Sequence, residues 1–539
     1  MVSSDVRDPE AGGSVIFAGL RTTRDPFTQG LMDSSRSTIL QGFLGAVLVT
    51  LASIGVGWLA GSSGLIRTPL FIFARTSPVA VIASTIMLCI GALLLLRAWL
   101  RLAQRVKDWD PRCTPVLMRA FWMWTLPLMV ALPLFSRDVY AYIGQGRLMT
   151  HGLNPYTNGI SALSNYYNLG PDTLWTEAPT PYGPLWLWIE QASVAVSFEI
   201  PEIAIIPFRI AVLVGLVLLA VYVPKLAALN GFNPQRTLWL VALNPVVLIN
   251  FIASAHNDSL MLGLCMAGIY FAAVKRPVLG IILVTASIAI KPITLIALPF
   301  VGLIWAGHKA GWSRRFLCWA GTLGISAGLL AVAGMVNGLG FGWLGALQTS
   351  STVWIWYAPV GLVSHLLGLV TGFMGISGDF VIDVIQKVGT VASILIVIWL
   401  ALRPANTGPL GVRRWSSGFP TGPGAVVSEA DYRRLMVRRA AWAFAAVVLL
   451  APMIQPWYMI WLLALFAVTG IGEGRELRVV FYLTTFFVLI ALTDQLSVFR
   501  WIPIELVRAV AIAVGVSMAG YLMFFDAKTH VLFRQPRKA

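Results

Sequence analysis

The chain has 539 residues, of which 58% are hydrophobic and 12% are charged, and its mean hydropathy is +0.78. Soluble proteins are roughly 45–50% apolar and about 25% charged, so this composition excludes a soluble globular chain. The formal net charge is +16. No basic run interleaves with exposed aromatic residues, so we exclude nucleic acid as a partner and assign the excess of Lys and Arg to cytoplasmic loops.

Apolar runs recur along most of the chain after a polar tail at residues 1–38. This tail lacks the apolar core of a signal peptide, and we expect it to be disordered and cytoplasmic. A helix needs about 20 apolar residues to cross a bilayer, which predicts a membrane domain at 39–524 with about 13–14 crossings. The predicted crossings are 39–60, 78–100, 116–135, 207–224, 237–254, 259–274, 277–290, 293–307, 316–336, 384–402, 440–454, 457–470, 479–493 and 502–524.

The positive-inside rule sets the orientation of these crossings. It puts both termini and about 30 of the 39 Lys and Arg residues on the cytoplasmic side of the plasma membrane. The cytoplasmic segments include a linker at 403–437, rich in Gly, Pro and Arg, and a C-terminal tail at 525–539. Arg67 and Arg75 fall on the opposite side and are exceptions to the rule.

Two apolar stretches, 184–200 and 353–375, do not fit as crossings, because counting either would move the basic segment after it to the outer side. We predict a short re-entrant or half-inserted helix at 184–200 and an outer juxtamembrane helix at 353–375. The outer side then carries two long loops, 136–183 and 337–358. The predicted fold is an all-α polytopic membrane protein whose large outer loop carries amphipathic helices.

The sequence lacks the motifs of several other chemistries. Its four cysteines form no C-x-x-C pair, so neither a zinc site nor a disulfide framework is indicated. There is no glycine-rich phosphate loop, no G-x-S-x-G motif and no pair of glutamates suited to glycoside hydrolysis. We predict no metal and no cofactor.

The first outer loop opens with FSRDVYAYIGQGRLMTHGLNPY, in which Asp138 directly follows an apolar crossing. Its carboxylate is expected at the membrane–water boundary, the depth at which a lipid-linked sugar phosphate presents its reactive carbon. A helix at 138–149 would place Asp138, Tyr142 and Gln145 on one face. The alternative is that Asp138 merely begins this helix, since acids favour the first turn.

The rest of this loop carries turn-forming and aromatic residues. Asn154 lies in HGLNPYTNG, which is either a plain turn or part of a sugar-binding surface. The loop ends with PTPYGPLW, in which prolines stiffen the chain and Tyr182 offers an aromatic surface. Aromatic residues at this depth are also typical of the interfacial belt.

His256, Asn257 and Asp258 lie between two apolar crossings on the same predicted side. Asn257 or Asp258 could simply cap the helix that follows. The functional interpretation is a second polar cluster at the depth of Asp138. A histidine and one acid are too few ligands to predict a metal site.

Two further outer turns carry polar residues. Lys291-Pro292 interrupts a long apolar stretch, and a lysine in such a place is a candidate functional residue whose natural partner is a phosphate. The alternative is that its side chain reaches the interface. Gln455, Trp457 and Tyr458, in QPWY, could line an acceptor groove.

Together, FSRDVYAYIGQGRLMTHGLNPY, PTPYGPLW, AHNDSLML, the Lys291-Pro292 hairpin and QPWYMIW resemble the actinobacterial MptB-type α-(1→6)-mannosyltransferases of the GT-C superfamily. This resemblance covers most of the membrane domain. It implies a GT-C glycosyltransferase fold, a polyprenyl-phosphate-mannose donor and a lipid-anchored α-(1→6)-mannan acceptor, as in lipomannan and lipoarabinomannan core synthesis. The GT-C catalytic aspartate lies in the first large outer loop, and Asp138 matches it. Many members have an acidic pair here, whereas this chain has Arg137-Asp138.

The expected reaction is a single inverting displacement in which Asp138, as general base, takes a proton from the acceptor hydroxyl. Lys291, His256 and Arg147 are expected to stabilise the leaving phosphate. Two alternatives remain: a GT-C enzyme with another donor, such as polyprenyl-phosphate-arabinose, and a transporter or flippase for a lipid-linked glycan. The candidate substrate-binding residues are Arg137, Tyr142, Gln145, Arg147, Asn154, Tyr182, His256, Asn257, Asp258, Lys291, Gln455, Trp457 and Tyr458.

Overall fold

A computed structural model of the chain describes residues 26–106, 109–346, 354–405, 428–494 and 496–534. All regular secondary structure in these ranges is helical. The first eleven α-helices are α1 (Pro26–Val56), α2 (Pro69–Thr76), α3 (Pro78–Arg105), α4 (Thr114–Leu128), α5 (Asp138–Thr150), α6 (Thr173–Thr176), α7 (Pro184–Val196), α8 (Pro201–Leu229), α9 (Pro234–Val241), α10 (Pro245–Val247) and α11 (Asp258–Ala273).

The second half of the chain continues the same architecture. Its α-helices are α12 (Pro277–Ile288), α13 (Leu298–Ala306), α14 (Trp312–Val336), α15 (Trp343–Ala346), α16 (Pro359–Phe373), α17 (Gly378–Leu402), α18 (Glu429–Leu450), α19 (Tyr458–Ala467), α20 (Arg475–Asp494), α21 (Ile504–Gly520) and α22 (His530–Phe533). A π-helical turn, Leu248–Ala253, extends α10, and a 3-10 helix, Pro292–Ala297, precedes α13.

Within the described ranges, seven helices are long and apolar enough to cross a membrane, namely α1, α3, α8, α14, α17, α20 and α21. The number becomes eight if α9 and the α10–π segment, bent by 45° against each other, form one span. The prediction of an all-α, multi-pass membrane protein is confirmed. A helix lies within each of the fourteen predicted segments, but a full crossing by the shorter ones stays a prediction.

Two predicted boundaries differ from the observed helices. Helix α1 begins at Pro26, so the last part of the predicted disordered tail is helical. Helix α18 begins at Glu429, with Ser428 and Asp431 in a capping box, so the end of the predicted linker is helical as well. The linker residues 406–427 and the tail residues 1–25 lie outside the described ranges.

The two apolar stretches that we did not count as crossings form short helices, α7 and α16. Helix α16 runs antiparallel to the first half of α17, where Gly368 packs against the backbone of Gly378. Its first turn lies against α18, because Gly361 contacts the carbonyl of Pro452. The side of the membrane on which these two helices lie stays a prediction.

One end of the helix bundle is rich in buried and half-buried arginines of α18, and we name it the arginine end. Arg433 donates hydrogen bonds to the carbonyls of Leu229 and Ala273, which belong to the last turns of α8 and α11. Arg439 does the same at the end of α17, with the carbonyls of Leu400 and Pro404. Cations stabilise helix C-termini because these ends carry a partial negative charge and unpaired carbonyls.

Arg75, an exception to the positive-inside rule, is buried away from this end. Its guanidinium donates to the carbonyl of Ile54 and to the hydroxyl of Ser497. It therefore ties the end of α1 to the segment that precedes α21. A structural role of this kind explains why a cation is retained on the less basic side of the protein.

Arg209 of α8 is buried at the centre of the bundle. It donates hydrogen bonds to the carbonyl of Leu128, at the end of α4, and to that of Ala131 in the following turn. It also donates to the carbonyl of Ala253, at the end of the π-helical turn. One guanidinium thus holds together the segments that lead to Asp138 and to His256.

We predict that Arg209→Met lowers the free energy of unfolding by about 1–3 kcal/mol, because the buried carbonyl of Ala131 loses its donor. The carbonyls of Leu128 and Ala253 keep backbone donors, from Ala131 and Leu134. Arg209→Lys should not restore stability, since one ammonium cannot reproduce the planar fork of donors. Thermal unfolding of the detergent-purified protein measures both effects. Arg508→Met, at an exposed position of α21, is the control; equal melting temperatures for the two Met variants would contradict this role.

Candidate functional site

Four turns meet at the end of the bundle away from the α18 arginines. They precede α5, α11, the 3-10 helix before α13, and α19. Polar residues predicted from widely separated parts of the sequence come together here: Asp138, His256, Asp258, Lys291 and Trp457. We call these five residues the polar cluster.

Asp138 is the first residue of α5, as predicted. Its backbone N–H donates to the hydroxyl of Ser136, and its side chain is 19% exposed. The Nδ1 atom of His256 lies 3.5 Å from Oδ2 of Asp138, and the His256 side chain is fully buried. The carboxylate therefore faces an opening on one side and an imidazole on the other.

Burial raises the pKa of Asp138 to about 6, against the opposing effect of Lys291. The nearby Asp258 raises the pKa of Asp138 further, whereas a hydrogen bond with Ser136 lowers it. A carboxylate with a pKa near neutral is both ionised at physiological pH and basic enough to accept a proton.

Asp258 and Lys291 form an ion pair at the floor of the cluster. The Lys291 Nζ atom lies 3.0 Å from both carboxylate oxygens of Asp258, which is fully buried. The indole Nε1 of Trp461 donates to the same carboxylate at 3.0 Å. Asn257, the residue before α11, makes no capping hydrogen bond with its side chain. Asn257 therefore does not cap α11 through its side chain, and the Asp258 carboxylate pairs with Lys291 instead.

Aromatic rings surround the ammonium group of Lys291. Its Nζ atom lies 5.9 Å from the ring centre of Tyr182, 5.7 Å from Tyr458 and 5.4 Å from Trp461. Tyr458 in turn stacks on Trp461 with ring centres 4.0 Å apart. The aromatic faces stabilise the cation, and the 17% exposure of the Lys291 side chain leaves it open to an anionic ligand.

Several buried polar groups beside the cluster have no hydrogen-bond partner within the described ranges. They are both ring nitrogens of His256, both amide atoms of Asn257, the indole nitrogen of Trp457 and the hydroxyl of Tyr142. Buried polar groups are rarely left unpaired, because each costs about 1–3 kcal/mol. Their concentration here is typical of a site that binds a ligand rich in hydroxyl groups or ordered water.

The charge state of His256 differs from the expectation. Burial, together with the nearby Lys291, lowers the pKa of His256 well below its usual value, so the imidazole is neutral. It therefore does not supply the positive charge that we expected at the leaving phosphate. Lys291 is left as the cation of the cluster.

Three predicted binding residues instead hold the outer loop in place. Arg137 lies over the Trp58 ring and donates to the carbonyls of Gly170 and Pro171. Arg147, at the far end of α5, donates to the carbonyl of Glu199. The Asn154 side chain accepts from the backbone of Tyr156, as in the plain-turn alternative.

The prediction of an amphipathic helix after Asp138 is wrong. Every residue of α5 from Val139 to Gly146 is buried, including Tyr142 and Gln145. Tyr142 packs edge-on against Tyr182, with ring centres 5.4 Å apart, and so lines the wall behind Lys291. Gln455 contributes its backbone carbonyl to the turn before α19, where it accepts from Tyr458.

Sequence reasoning missed two residues of this region. Trp461 follows Trp457 by one helical turn, so a search for aromatic residues at i and i+4 in α19 would have found it. Glu190 is a fully buried acid of α7, in a segment that we read only for its hydropathy. No three His, Cys, Asp or Glu side chains converge on a metal-sized site in the described part of the chain.

We predict that Lys291→Met destabilises the protein by about 3–5 kcal/mol, because it leaves the buried Asp258 carboxylate without its counter-charge. Adding Asp258→Asn should recover part of this loss. Lys387→Met is the matched control, since its pair with Asp383 is exposed and worth about 0–1 kcal/mol. Thermal unfolding of the four proteins measures these effects; a double variant less stable than Lys291→Met alone would contradict the pairing.

Comparison with known proteins supports a common family for the whole chain. Residues 39–307 match the family model of the α-(1→6)-mannopyranosyltransferase N-terminal domain, and residues 429–520 match that of the MptB C-terminal domain. The first match contains Asp138, His256, Asp258 and Lys291. No solved structure matches the chain.

Three curated relatives cover most of the chain. A probable α-(1→6)-mannopyranosyltransferase of Mycolicibacterium smegmatis is 31% identical over 79% of this chain and 78% of its own. The α-(1→6)-mannopyranosyltransferase A of Mycobacterium tuberculosis is 32% identical over 79% of both chains. The α-(1→6)-mannopyranosyltransferase B of Corynebacterium glutamicum is 25% identical over 83% of this chain and 75% of its own. The chain therefore belongs to the α-(1→6)-mannopyranosyltransferase family.

Proposed function

We propose that the protein transfers a mannosyl unit from polyprenyl-phosphate-mannose to an α-(1→6)-mannan chain on a lipid anchor, with Asp138 as the general base. The observation that carries this proposal is the polar cluster itself. It combines a partly exposed carboxylate of raised pKa with an open lysine and a group of unpaired buried polar atoms. The names of the relatives supply the sugar and the linkage.

Lys291 is suited to the donor phosphate. Its ammonium is held by Asp258 and three aromatic rings, so it is oriented before the substrate arrives. A fixed cation stabilises the negative charge that grows on a leaving phosphate without a reorganisation cost during the reaction. The phosphate is already a good leaving group, and no general acid is required.

Asp138 is suited to the acceptor. As the acceptor hydroxyl attacks the anomeric carbon, its proton passes to the carboxylate, and the bond from the anomeric carbon to the phosphate oxygen breaks. A single displacement inverts the anomeric centre, so a β-linked donor gives an α-linked product.

The charge distribution supports an orientation with the polar cluster on the outer face of the plasma membrane. The buried and half-buried arginines of α18 lie at the opposite end of the bundle, which the positive-inside rule places in the cytoplasm. Both termini would then be cytoplasmic. Donor and acceptor are both lipid-anchored in this proposal, so each reaches the site from the membrane.

We predict that Asp138→Asn abolishes mannosyl transfer, because an amide cannot accept the acceptor proton. The measurement uses membranes, radiolabelled polyprenyl-phosphate-mannose and a short α-mannoside acceptor. Asp383→Asn, on the exposed surface of α17, is the matched control and should retain full activity.

Unchanged transfer by Asp138→Asn at wild-type protein level would refute the general base. Label that crosses the membrane without entering the acceptor would instead indicate a flippase. Transfer from polyprenyl-phosphate-arabinose in place of the mannose donor would refute the donor assignment but not the base. Loss of transfer on adding a chelator would contradict our expectation that no metal is needed.

We predict that kcat/KM for transfer falls about tenfold per pH unit below pH 6 and levels off above about pH 7. The reason is that the pKa of Asp138 is raised to about 6, so the basic form is lost as the pH falls through this value. The rate–pH profile in membranes measures the acidic limb. A limb near pH 4, the range of an ordinary exposed aspartate, would contradict the burial of the base.

A further inference from the structure

His256 lies directly behind Asp138 and cannot itself reach a substrate. Its side chain is fully buried, whereas that of Asp138 is 19% exposed, and Nδ1 of the imidazole lies 3.5 Å from Oδ2 of the carboxylate. The two groups therefore contact each other on the closed side of the site. This separates their roles, because Asp138 can meet a ligand while His256 meets Asp138.

The plane of the His256 ring is fixed by its surroundings. Trp457 packs on one face, with ring centres 3.9 Å apart and planes tilted by 34°. The backbone N–H of His256 donates to Phe251, and the carbonyl of His256 accepts from Ser259. In this pose Nδ1 is the ring nitrogen directed at the carboxylate.

Neither ring nitrogen makes an aligned hydrogen bond with any of the described residues, and Nδ1 lies within 3.5 Å of the Asp138 carboxylate. The imidazole is neutral and carries one proton. If this proton were on Nε2, the bare lone pair of Nδ1 would face a carboxylate oxygen, and two negative partial charges would meet in a buried site. With the proton on Nδ1, the same contact becomes a hydrogen bond to an anion, which is roughly twice as strong as a neutral one.

We propose that His256 is a positioning residue for Asp138, whose Nδ1–H donates to Oδ2 and thereby leaves Oδ1 as the atom that accepts the proton. This inference rests on the proposed function. The acceptor proton moves to Oδ1 as the new glycosidic bond forms and the bond to phosphate breaks, and the electron pair leaves on the phosphate. His256 keeps its own proton throughout.

The other groups that face this pair come from separate elements and define what a pH profile reports. Lys291 and Ser136 favour the charged form of Asp138, whereas Asp258 and Asp172 oppose it. Lys291 also disfavours the second proton that would make the His256 ring positively charged. The wall also carries the phenols of Tyr142 and Tyr182, whose pKa is raised by burial, so that both stay protonated.

Two substitutions of His256 can show whether Nδ1 or Nε2 donates the hydrogen bond to Asp138. The amide nitrogen of His256→Asn falls near the position of Nδ1, whereas that of His256→Gln falls near Nε2. We expect the pH midpoint of the acidic limb of kcat/KM in His256→Asn to lie within about 0.3 pH units of the wild-type midpoint. In His256→Gln and His256→Ala this midpoint should rise by about one pH unit, because a carboxylate that loses a hydrogen-bond donor becomes easier to protonate.

The rate–pH profile is measured on each variant in membranes at matched protein level, between pH 5 and 9. Gln and Ala variants that regain rate at high pH, with an Asn variant close to wild type, support the proposal. The proposal is overturned if all variants have the same pH midpoint, or if the midpoint of the Gln variant is closer to wild type than that of the Asn variant. Either result would mean that His256 only packs against Asp138. An Asn variant that is inactive at every pH also overturns it. None of these outcomes depends on Asp138→Asn, so the general base can stand while this inference fails.

Discussion

The geometry of the site depends on one buried guanidinium, that of Arg209. It lies in α8 and donates to carbonyls at the ends of α4 and of the π-helical turn. The carbonyl of Ala131 would otherwise lose this donor inside an apolar bundle, which costs about 1–3 kcal/mol. The carbonyl of Ala253 also accepts from the backbone N–H of Leu134, which joins the same two segments directly. A second contact reinforces the first, because the Ser254 hydroxyl donates to the carbonyl of Leu134. Asp138 and His256, each a few residues beyond these contacts, are thereby brought within reach of each other.

Hydrogen bonds to backbone carbonyls also fix the far side of the site. The backbone N–H groups of Gly183 and Leu185 donate to the carbonyls of Ile290 and Ala289, so the end of the outer loop is fixed to the turn that carries Lys291. A Cβ atom on Gly183 would meet the backbone of Ala289, which explains the glycine. Backbone contacts thus position the side chains, and the polar atoms of the Asn257 and Trp457 side chains have no hydrogen-bond partner among the described residues. Leaving these groups without hydrogen bonds costs free energy, which a bound polar ligand or ordered water would recover.

Much of this arrangement could be predicted from the sequence, because membrane crossings and their sides follow from hydropathy and charge. These rules put Asp138, His256, Asp258, Lys291 and Trp457 at one end of the bundle, and the structure brings them together. They could not find Arg209, since a lone arginine in an apolar segment gives no sign of the carbonyls it will meet. They also did not reveal that Arg147 donates to the carbonyl of Glu199 or that the Asn154 side chain accepts from the backbone of Tyr156, so a ligand contact of these two residues stays a prediction. Sequence position fixed the depth of a residue but not the direction of its side chain.

Arg137, which precedes Asp138 where the family resemblance leads us to expect a second acid, has a physical explanation in its contacts. The Arg137 guanidinium lies 4.4 Å from the Trp58 ring centre and donates to two carbonyls of the outer loop. A carboxylate in its place would face those carbonyl oxygens and lose both hydrogen bonds. The second carboxylate near Asp138 comes instead from Asp258, across the bundle, and its charge is already matched by Lys291. One carboxylate therefore stays open at the mouth of the site, while the other holds the lysine beside it.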